Sequence, residues 1–510
     1  MKNKLTALLI LFIVFSTSCK KFLEREPKNQ MTDLNTWTSE AEANSEVSGM
    51  YALLRAAINY PQGIGHYAWG DLTADEFDPT KQNQGGGNPA DYRSISETNW
   101  QVSISSSAAT DDSRMMFRMR RWDNFYRVID QANRVIKFVP NVPLTNYTSS
   151  NPASVQQRFL GEAYFMRAFT YFYISRIWGD VPLSLQTYVD PTESPRLART
   201  PAAQVLDQAT KDVQAALPNL AWTTSPVADK AVRATKGAAF ALLAHIYAWR
   251  GDYANAASAA DSVILKGGYS YVPRASYSTI FKGQSSEGIF EISENKVNEG
   301  YGNTGIGART SKAPYYLGNT STSQMPLDLG NLYSRFFTDT ANDLRAKKGM
   351  AFLGTTDPIT IKYSDPSFIS YTAANNASPV FLHNIVIFRL ADIKLLRAEA
   401  LAATGNLGGA RTILNEVRTQ AGLAASTATD ANLFEAIIDE RGRELFLEGH
   451  RFYDLVRLAK KTGIVKFGSG ATPRISTSEF SQGKYIWPID PSLILTNPLL
   501  LQTPYWSDKM

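Results

Sequence analysis

The sequence has few of the residues that most metal sites and covalent active sites require. It contains one cysteine, Cys19, and four histidines in 510 residues. A single thiol forms no intramolecular disulfide, so the stability of the fold has to come from its core. The histidines form no H-x-x-x-H pair, which argues against a zinc site; they are His66, His245, His383 and His450. We therefore expect no metal and no cofactor.

The sequence also lacks the G-x-S-x-G motif of serine hydrolases and the lysine motif of a P-loop. One stretch, "EGYGNTGIGART", does place Gly300, Gly302 and Gly305 at the G-x-G-x-x-G spacing of a dinucleotide-binding turn. That turn works only when a helix begins directly after the glycines. Here Gly307 and the polar residues Arg309 to Lys312 precede Pro314, with no apolar stripe at helical spacing. We predict no helix at this point and no nucleotide site.

Acidic residues cluster in one short stretch, "WGDLTADEFDPT", which contains Asp71, Asp75, Glu76 and Asp78. The simplest interpretation is that these carboxylates cap turns and helix ends. An oxygen-lined calcium site is an alternative. A glycosidase would need two carboxylates at a defined separation across a cleft, which the sequence does not show.

After the first 18 residues, no segment has 18 consecutive apolar residues. The start of the chain combines Lys2 and Lys4 with an apolar run from Leu5 to Phe15 and small residues before Cys19. This pattern predicts a signal peptide over residues 1–18. A lone cysteine at this position is similar to the lipid-modified cysteine of bacterial lipoproteins, so we predict a lipid on Cys19. A soluble secreted protein is the alternative.

The charge balance is close to neutral for a chain of this length. Loss of the predicted signal peptide removes two lysines, and the formal net charge of +5 becomes +3. No basic run follows elsewhere, so we expect no nucleic-acid partner. The chain is rich in aromatic residues, with 24 Tyr, 25 Phe and 9 Trp, and this supply leaves rings available for recognition at the surface.

Two stretches have the spacing of small and aromatic residues that is typical of tetratricopeptide hairpins. They are "ATKGAAFALLAHIYAWRGDYANAASAADSVI", with Ala244, Tyr247, Gly251 and Ala256, and "LLRAEALAATGNLGGARTILNEVR", with Ala398, Leu401, Gly405 and Ala410. Another stretch, which begins at Gln156, is apolar on two faces and predicts a helix buried inside a bundle. "GIFEIS" from Gly288 predicts a strand.

The stretch "DERGRELFLEGHRFYDLVRL" from Asp439 predicts a helix that has a structural role. Gly449 would let a neighbouring helix approach closely. Acidic and basic residues three positions apart would form ion pairs along the helix; the pairs are Glu440–Arg443, Glu448–Arg451 and Asp454–Arg457.

Four segments together carry a resemblance to a known family; they are the stretch from Asp439, "MRAFTYFYISRIWGDVPL", "FRLADIKLLRAEAL" and "PIDPSLILTNPLLLQTPYW". In this order they resemble the SusD/RagB family of outer-membrane nutrient-binding lipoproteins. The resemblance implies a mostly α fold, with tetratricopeptide-like helical hairpins and a loop-rich C-terminal subdomain that contains a few short strands. It divides the chain into the signal peptide, an N-terminal helical domain over 19–285 and a C-terminal domain over 286–510.

The resemblance also implies a function that is not catalytic. A protein of this family binds oligosaccharide at the cell surface, is held at the outer membrane by its lipid, and delivers the ligand to a SusC-like TonB-dependent transporter. Within the resemblance, ligand contacts are expected from two loop tracts, one near the N-terminal helices and one after the central hairpins. The aromatic candidates there are Tyr92, Trp100, Tyr301, Tyr315 and Tyr316.

Three other functions are compatible with the sequence. An oligopeptide-binding member of the same family would make mostly main-chain contacts to its ligand. A secreted glycosidase would release reducing ends from polysaccharide. A scaffold built on tetratricopeptide hairpins would bind a partner protein and no small ligand.

Overall fold

A computed structural model gives the structure of the chain. It describes residues 36–509 apart from 61–62, 79, 81–88, 101–114, 189, 225, 296–298, 301–304, 320–321, 366, 368, 373–374 and 469–473. Cys19, the predicted signal peptide and Tyr301 therefore lie outside the described residues.

Among the described residues, ten helices of twelve or more residues form the framework of the structure. They are α1 (Glu40–Asn59), α2 (Asp123–Phe138), α3 (Pro152–Trp178), α4 (Ala202–Ala216), α5 (Lys236–Arg250), α6 (Tyr253–Lys266), α7 (Leu390–Ala403), α8 (Leu407–Gln420), α9 (Leu433–Glu444) and α10 (Arg451–Thr462). Local signals fix their ends. Helix α5, for example, begins after Thr235, whose hydroxyl accepts a hydrogen bond from the Ala238 amide, and it ends at Gly251 with φ +78°.

Neighbouring helices pack in a continuous series. α1 contacts α2, α2 contacts α3, α3 contacts α4, and the hairpins α5–α6 and α7–α8 follow. Helices α6 and α7 also pack on each other, although more than 120 residues separate them in the sequence. The two predicted hairpins are therefore confirmed, and they stand side by side in space. Helix α3 is buried along almost its whole second half, as its two apolar faces predicted.

In the described parts of the chain, the strands are short and form three separate antiparallel pairs. They are β1 (Gly288–Ile292), β2 (Met350–Ala351), β3 (Ile359–Thr360), β4 (Ile369–Thr372), β5 (Asn375–Phe381) and β6 (Ile385–Arg389). The pairs are β1 with β6, β2 with β3 and β4 with β5. All six strands lie between α6 and α7, so the prediction of a mostly α fold with a loop-rich part and a few short strands is confirmed.

Short helical turns connect the longer elements. The short α-helices are Gly65–Tyr67, Pro89–Ser96, Met115–Arg118, Thr279–Lys282, Ile306–Arg309, Leu329–Asn331, Leu344–Gly349, Thr477–Ser481 and Pro491–Thr496. Ala68–Leu72 and Leu332–Phe336 are π-helical. The 3₁₀ turns are Val139–Asn141, Leu144–Asn146, Pro191–Glu193, Leu217–Asn219, Val227–Asp229, Arg274–Ser276, Asp430–Asn432 and Pro504–Trp506.

The stretch from Asp439 is two helices and not one. Helix α9 ends at Glu444, and α10 begins at Arg451. The turn between them contains Leu447 at φ +55° and Gly449 at φ +78°, which are left-handed conformations that end a helix. Apolar spacing continues across this turn, so the periodicity alone did not reveal it.

The close approach expected at Gly449 is present, in a tighter form than predicted. A Cβ on Gly70 would lie 2.1 Å from the Gly449 carbonyl oxygen, and a Cβ on Gly449 would lie 2.2 Å from His66 Nε2. The π-helical turn at residues 68–72 therefore rests directly on the α9–α10 turn, because neither residue has a side chain.

Two of the three predicted ion pairs form. Arg443 bonds Glu440 at 2.9 Å, and Arg457 bonds Asp454 at 2.6 Å. The prediction of the third pair, Glu448–Arg451, was wrong, because the turn between α9 and α10 separates the two side chains. Glu448 instead accepts hydrogen bonds from Arg389, at 2.8 Å for Nε.

Contacts across the predicted domain boundary at 285/286 are extensive. Helix α6 packs on α7, and Asp75 forms an ion pair with Arg451. The boundary itself stays a prediction.

Candidate functional site

A pair of aromatic rings, one of them exposed, marks the strand-containing part of the chain. The rings of Tyr315 and Phe352 are 6.1 Å apart between centroids, and their planes meet at 77°. Phe352 begins the loop that joins β2 to β3, and 37% of its surface is exposed. Tyr315 is half-buried. The two rings pack edge-to-face nearly at right angles and present two apolar surfaces, which we call the aromatic corner.

The backbone holds Phe352 in an unfavourable conformation. Its φ of +57° is left-handed, which is a genuine outlier for a bulky residue. The following turn stabilises it, because the Thr355 amide and hydroxyl both donate to the Phe352 carbonyl, at 3.2 and 2.8 Å. The Gly354 amide donates to the Tyr333 hydroxyl at 2.7 Å. Residues held in such conformations cluster at functional sites.

Polar groups surround the aromatic corner. The Lys312 ammonium lies 4.8 Å from the centre of the Phe352 ring, and it bonds the carboxylate and the carbonyl of Asp357, both at 2.9 Å. The Ser323 amide and hydroxyl donate to the same carboxylate, at 3.0 and 2.8 Å. Asp357 thus connects two loops, the one that begins at Lys312 and the β2–β3 loop. This connection fixes the separation of the Tyr315 and Phe352 rings.

Two of the other predicted rings lie in the protein interior near this region. Tyr316 is buried and packs edge-to-face on Phe381, with centroids 5.5 Å apart. Tyr92 is buried below the Arg309 guanidinium, 5.2 Å from its ring centre. The structure therefore brings Tyr92 next to Arg309, shortly before the loop that carries Tyr315 and Tyr316, but Tyr92 and Tyr316 fill core space.

Trp100 contacts a different part of the chain. Only 2% of its surface is exposed, and its ring packs on Trp487 of the C-terminal segment with centroids 4.4 Å apart. The loop tracts thus contain their own small apolar clusters, which the polar composition of the loops did not indicate. Ligand contact by these rings stays a prediction, and for Tyr92, Trp100 and Tyr316 burial favours a packing role.

The glycines of the G-x-G-x-x-G stretch allow close packing. A Cβ on Gly300 would lie 2.6 Å from the Phe381 carbonyl oxygen, and one on Gly307 would lie 2.7 Å from the Phe381 ring. The prediction that no helix follows Gly305 was wrong, because Ile306–Arg309 form a single helical turn. A single turn has too weak a dipole for a phosphate site. Tyr301 and Gly302 lie outside the described residues.

Three residues of the acidic cluster, Asp71, Asp75 and Glu76, are buried, and Asp71 and Glu76 bind the α9–α10 turn. Asp71 accepts from the Gly449 amide at 2.7 Å, and Glu76 accepts from the Leu447 amide at 3.0 Å. Burial raises the pKa of Asp71 to about 7. Asp71 and Glu76 therefore cap a turn that is distant in the sequence, and Asp78 caps its own turn by accepting from the Thr80 amide at 2.9 Å. Turn capping was the wrong interpretation for Asp75, which forms an ion pair with Arg451.

The four histidines are buried in the protein interior. His245 Nε2 bonds Asp392 at 2.8 Å, and desolvation lowers the pKa of His66 to about 4. Within the described ranges, no group of three or more His, Cys, Asp or Glu residues is placed to hold a metal ion. In the same ranges, each helix is too short or too polar to cross a membrane.

The sequence patterns above did not indicate Phe352, Lys312 or Asp357. A signal for Phe352 was present, because "AFLGTTDP" places an aromatic residue among the glycine, threonine, aspartate and proline that mark an exposed turn. The contact between this turn and the loop of Tyr315 depends on tertiary structure and leaves no pattern in the sequence.

Comparison with known proteins identifies the family. A model described as the SusD family matches residues 354–506, and a model described as starch-binding associating with outer membrane matches residues 21–248. The SusD-like protein P38 of Formosa agariphila is 25% identical over 545 residues, with 98% of each chain covered.

Solved structures agree with this assignment. A SusD homolog from Bacteroides thetaiotaomicron superimposes with a TM-score of 0.74 at 25% identity, covering 92% of this chain and 98% of that one. A laminarin binding SusD-like protein has a TM-score of 0.69 at 22% identity, with 92% and 100% covered. Together, the two family models, the full-length relative and the shared fold show that this chain is a member of the SusD-like family.

Proposed function

We propose that the protein binds oligosaccharide without cleaving it, and that the aromatic corner of Tyr315 and Phe352 is part of the binding site. The observation that carries the proposal is the exposed Phe352 ring, which a strained backbone holds beside Tyr315. Family membership supports a carbohydrate ligand, since one matching model is described as starch-binding and one structural relative is named for laminarin binding.

The geometry suits a sugar. A pyranose ring has an apolar face of C–H groups and a polar edge of hydroxyls, and it stacks on an aromatic ring while its edge bonds polar side chains. One aromatic ring can stack on the apolar face of the sugar, and the other can contact its side. Lys312 and Asp357 lie at the edge of the aromatic corner. The Asp357 carboxylate already accepts hydrogen bonds from Lys312 and Ser323. We therefore assign it the role of positioning these residues and not of transferring a proton.

The test is calorimetric titration of purified protein with laminarin- and starch-derived oligosaccharides. Phe352→Ala and Tyr315→Ala should each weaken binding by about five- to tenfold, because one aromatic contact contributes about 1 kcal/mol. Leu265→Ala is the matched control, since Leu265 is an exposed apolar side chain on α6 and lies outside the corner. The Leu265→Ala variant should bind the oligosaccharides with the same affinity as the wild type.

Several outcomes would contradict the proposal. Unchanged affinity in both ring variants would place the site elsewhere. Release of reducing ends at catalytic rates would indicate a glycosidase. Binding of peptides and of no oligosaccharide would indicate the peptide-binding alternative, and binding of a partner protein alone would indicate a scaffold.

The proposal extends to the cell surface. We infer that a lipid on Cys19 holds the protein at the outer membrane, and that a SusC-like TonB-dependent transporter receives the ligand. The family description, which names association with the outer membrane, supports the location. Affinity purification from detergent-extracted outer membranes should recover a TonB-dependent transporter, and its absence from the purified complex would contradict the partnership.

A further inference from the structure

A cleft on the helical side of the molecule has an unusual charge distribution. It encloses about 510 Å³ where α4, α5, α6 and α10 meet. This volume is within the range of small-molecule sites. Its lining contains four cationic side chains, from Arg250, Arg457, Lys460 and Lys461, and no aspartate or glutamate. We call this site the basic cleft.

The two arginines of the basic cleft have carboxylate partners. Arg457 bonds Glu399 at 2.7 and 2.8 Å and Asp454 at 2.6 Å. Arg250 bonds Asp207 at 2.6 Å. Their charges are thus balanced by the protein itself.

The two lysines differ from the arginines. The Lys460 ammonium lies 4.4 Å from the centre of the Trp249 ring and 5.3 Å from that of Tyr485. Lys461 donates to the Ala403 carbonyl at 3.2 Å and lies 5.5 Å from the Tyr253 ring centre. Within the part of the chain that the structure describes, neither ammonium has a carboxylate within 4 Å. Partial desolvation lowers the pKa of Lys460 to about 8, and the neighbouring charge of Arg457 acts in the same direction.

The floor and one wall of the basic cleft are apolar. Trp249 and Tyr253 are mostly buried and form a rigid floor, since Trp249 packs on Tyr453 and Tyr253 packs on Phe434. Ala202, Ala203 and Gly251 line the sides and leave room for a ligand to approach. An apolar floor below two unbalanced ammonium groups fits a compact ligand that carries a negative charge and an apolar face.

We propose that the basic cleft is a second ligand site, which binds an acidic sugar unit through its carboxylate or sulfate group. Lys460 and Lys461 would hold the anionic group, and the sugar ring would lie against the floor. The site is separate from the aromatic corner, and its lining shares no residue with it. A sugar unit is favoured over an acidic protein segment because the volume of the cleft, about 510 Å³, matches a small ligand.

The experiment compares anionic and neutral probes on the purified protein. Calorimetry with trigalacturonate, a sulfated disaccharide and neutral maltotriose should show binding of one or both acidic sugars at this cleft. The double variant Lys460→Gln/Lys461→Gln should weaken that binding about tenfold or more, since two ion pairs of this kind contribute about 1–2 kcal/mol together. Raising the NaCl concentration should weaken it as well.

A matched pair of lysines provides the control. Lys347 and Lys348 are adjacent, exposed and at the end of the short helix Leu344–Gly349, so Lys347→Gln/Lys348→Gln makes the same change in net charge. This variant should bind the acidic sugars as the wild type does. Phe352→Ala should also leave this binding unchanged, which separates failure of this site from failure of the aromatic corner.

Four results would overturn the proposal. The first is no binding of either acidic sugar, and the second is equal loss in the two lysine double variants. The third is binding of inorganic sulfate as tight as that of the acidic sugars, which would show a simple anion site. The fourth is tighter binding of hexaglutamate than of any sugar, which would show a site for an acidic protein segment.

Discussion

Arg451 bonds Asp75 with two parallel hydrogen bonds, from Nε and Nη2 to the two carboxylate oxygens, both at 2.8 Å. The two residues are 376 positions apart in the sequence and are both buried. Arg335 also bonds Asp75, at 2.5 Å. These bonds attach the start of α10 to the turn that follows the π-helical segment, and they join the two ends of the described chain into one packed structure.

We expect Arg451→Ala to lower the free energy of unfolding by about 3–5 kcal/mol, because it leaves the buried Asp75 carboxylate with too few partners. Chemical denaturation measures the change. Arg93→Ala is the control, since Arg93 forms an exposed pair with Glu97 and its loss should cost about 0.5 kcal/mol or less. Ligand affinity per folded molecule should stay unchanged. A stable Arg451→Ala variant that no longer binds ligand would show that this arginine belongs to the binding site.

Gly449→Ala should be strongly destabilising. The new Cβ would lie 2.2 Å from His66 Nε2, and φ is +78°, so we expect a cost of about 3 kcal/mol or more. Gly463→Ala is a matched control, because Gly463 has the same φ of +78° and open space around its Cα. Its cost should be about 1 kcal/mol, from the backbone conformation alone. Equal costs in denaturation experiments would show that contact with His66 contributes nothing.

Stability should fall with rising pH through the titration of Glu294. Burial raises the pKa of its carboxyl from 4.5 to about 8, and the Asn59 amide and Arg55 oppose the rise. Between these pH values the folded chain holds a proton that the unfolded chain has lost. The contribution of this group to stability is therefore complete below about pH 4.5 and is lost as the pH rises towards 8.

Glu294→Gln removes this dependence, because glutamine stays neutral in both states. Relative to the wild type, the variant should gain stability between pH 5 and pH 8, on the order of 4 kcal/mol at the upper end. Thermal unfolding across this range measures the difference. Glu193→Gln, at an exposed position, controls for the exchange of the side chain. Parallel curves for wild type and Glu294→Gln would contradict the assignment.

Trp100→Ala should act through stability. The ring is buried on Trp487, and removal of such a side chain costs about 3–5 kcal/mol. Any loss of oligosaccharide binding should disappear once titrations are corrected for the folded fraction. A fully folded Trp100→Ala variant with weakened oligosaccharide binding would instead show that this ring contacts the ligand, as predicted from the sequence.

Cys19→Ala tests the proposed anchor. Without the thiol no lipid can be attached, so the variant should appear as an uncleaved or soluble product and leave the outer-membrane fraction. Cell fractionation with immunoblotting measures the distribution. Co-fractionation of the variant with the outer membrane at the wild-type level would contradict the lipid anchor.

The sequence by itself determined the parts of this protein that depend on local periodicity. The α5–α6 and α7–α8 hairpins follow from small residues at fixed spacing, and the burial of α3 follows from its two apolar faces. Strand β1 was also predictable, because its residue pattern is local. Four ordered segments were enough to predict the SusD-like family.

Tertiary structure alone decided the break between α9 and α10, the burial of the acidic cluster and the composition of both candidate sites. Each depends on contacts between residues far apart in the chain, such as Gly70 with Gly449, Asp75 with Arg451, and Tyr315 with Phe352. Periodicity reports which face of a segment is apolar, and it contains no information about which other segment covers that face. Exposure of Phe352 and burial of Trp100 were therefore settled by packing, although both rings lie in loops of similar composition.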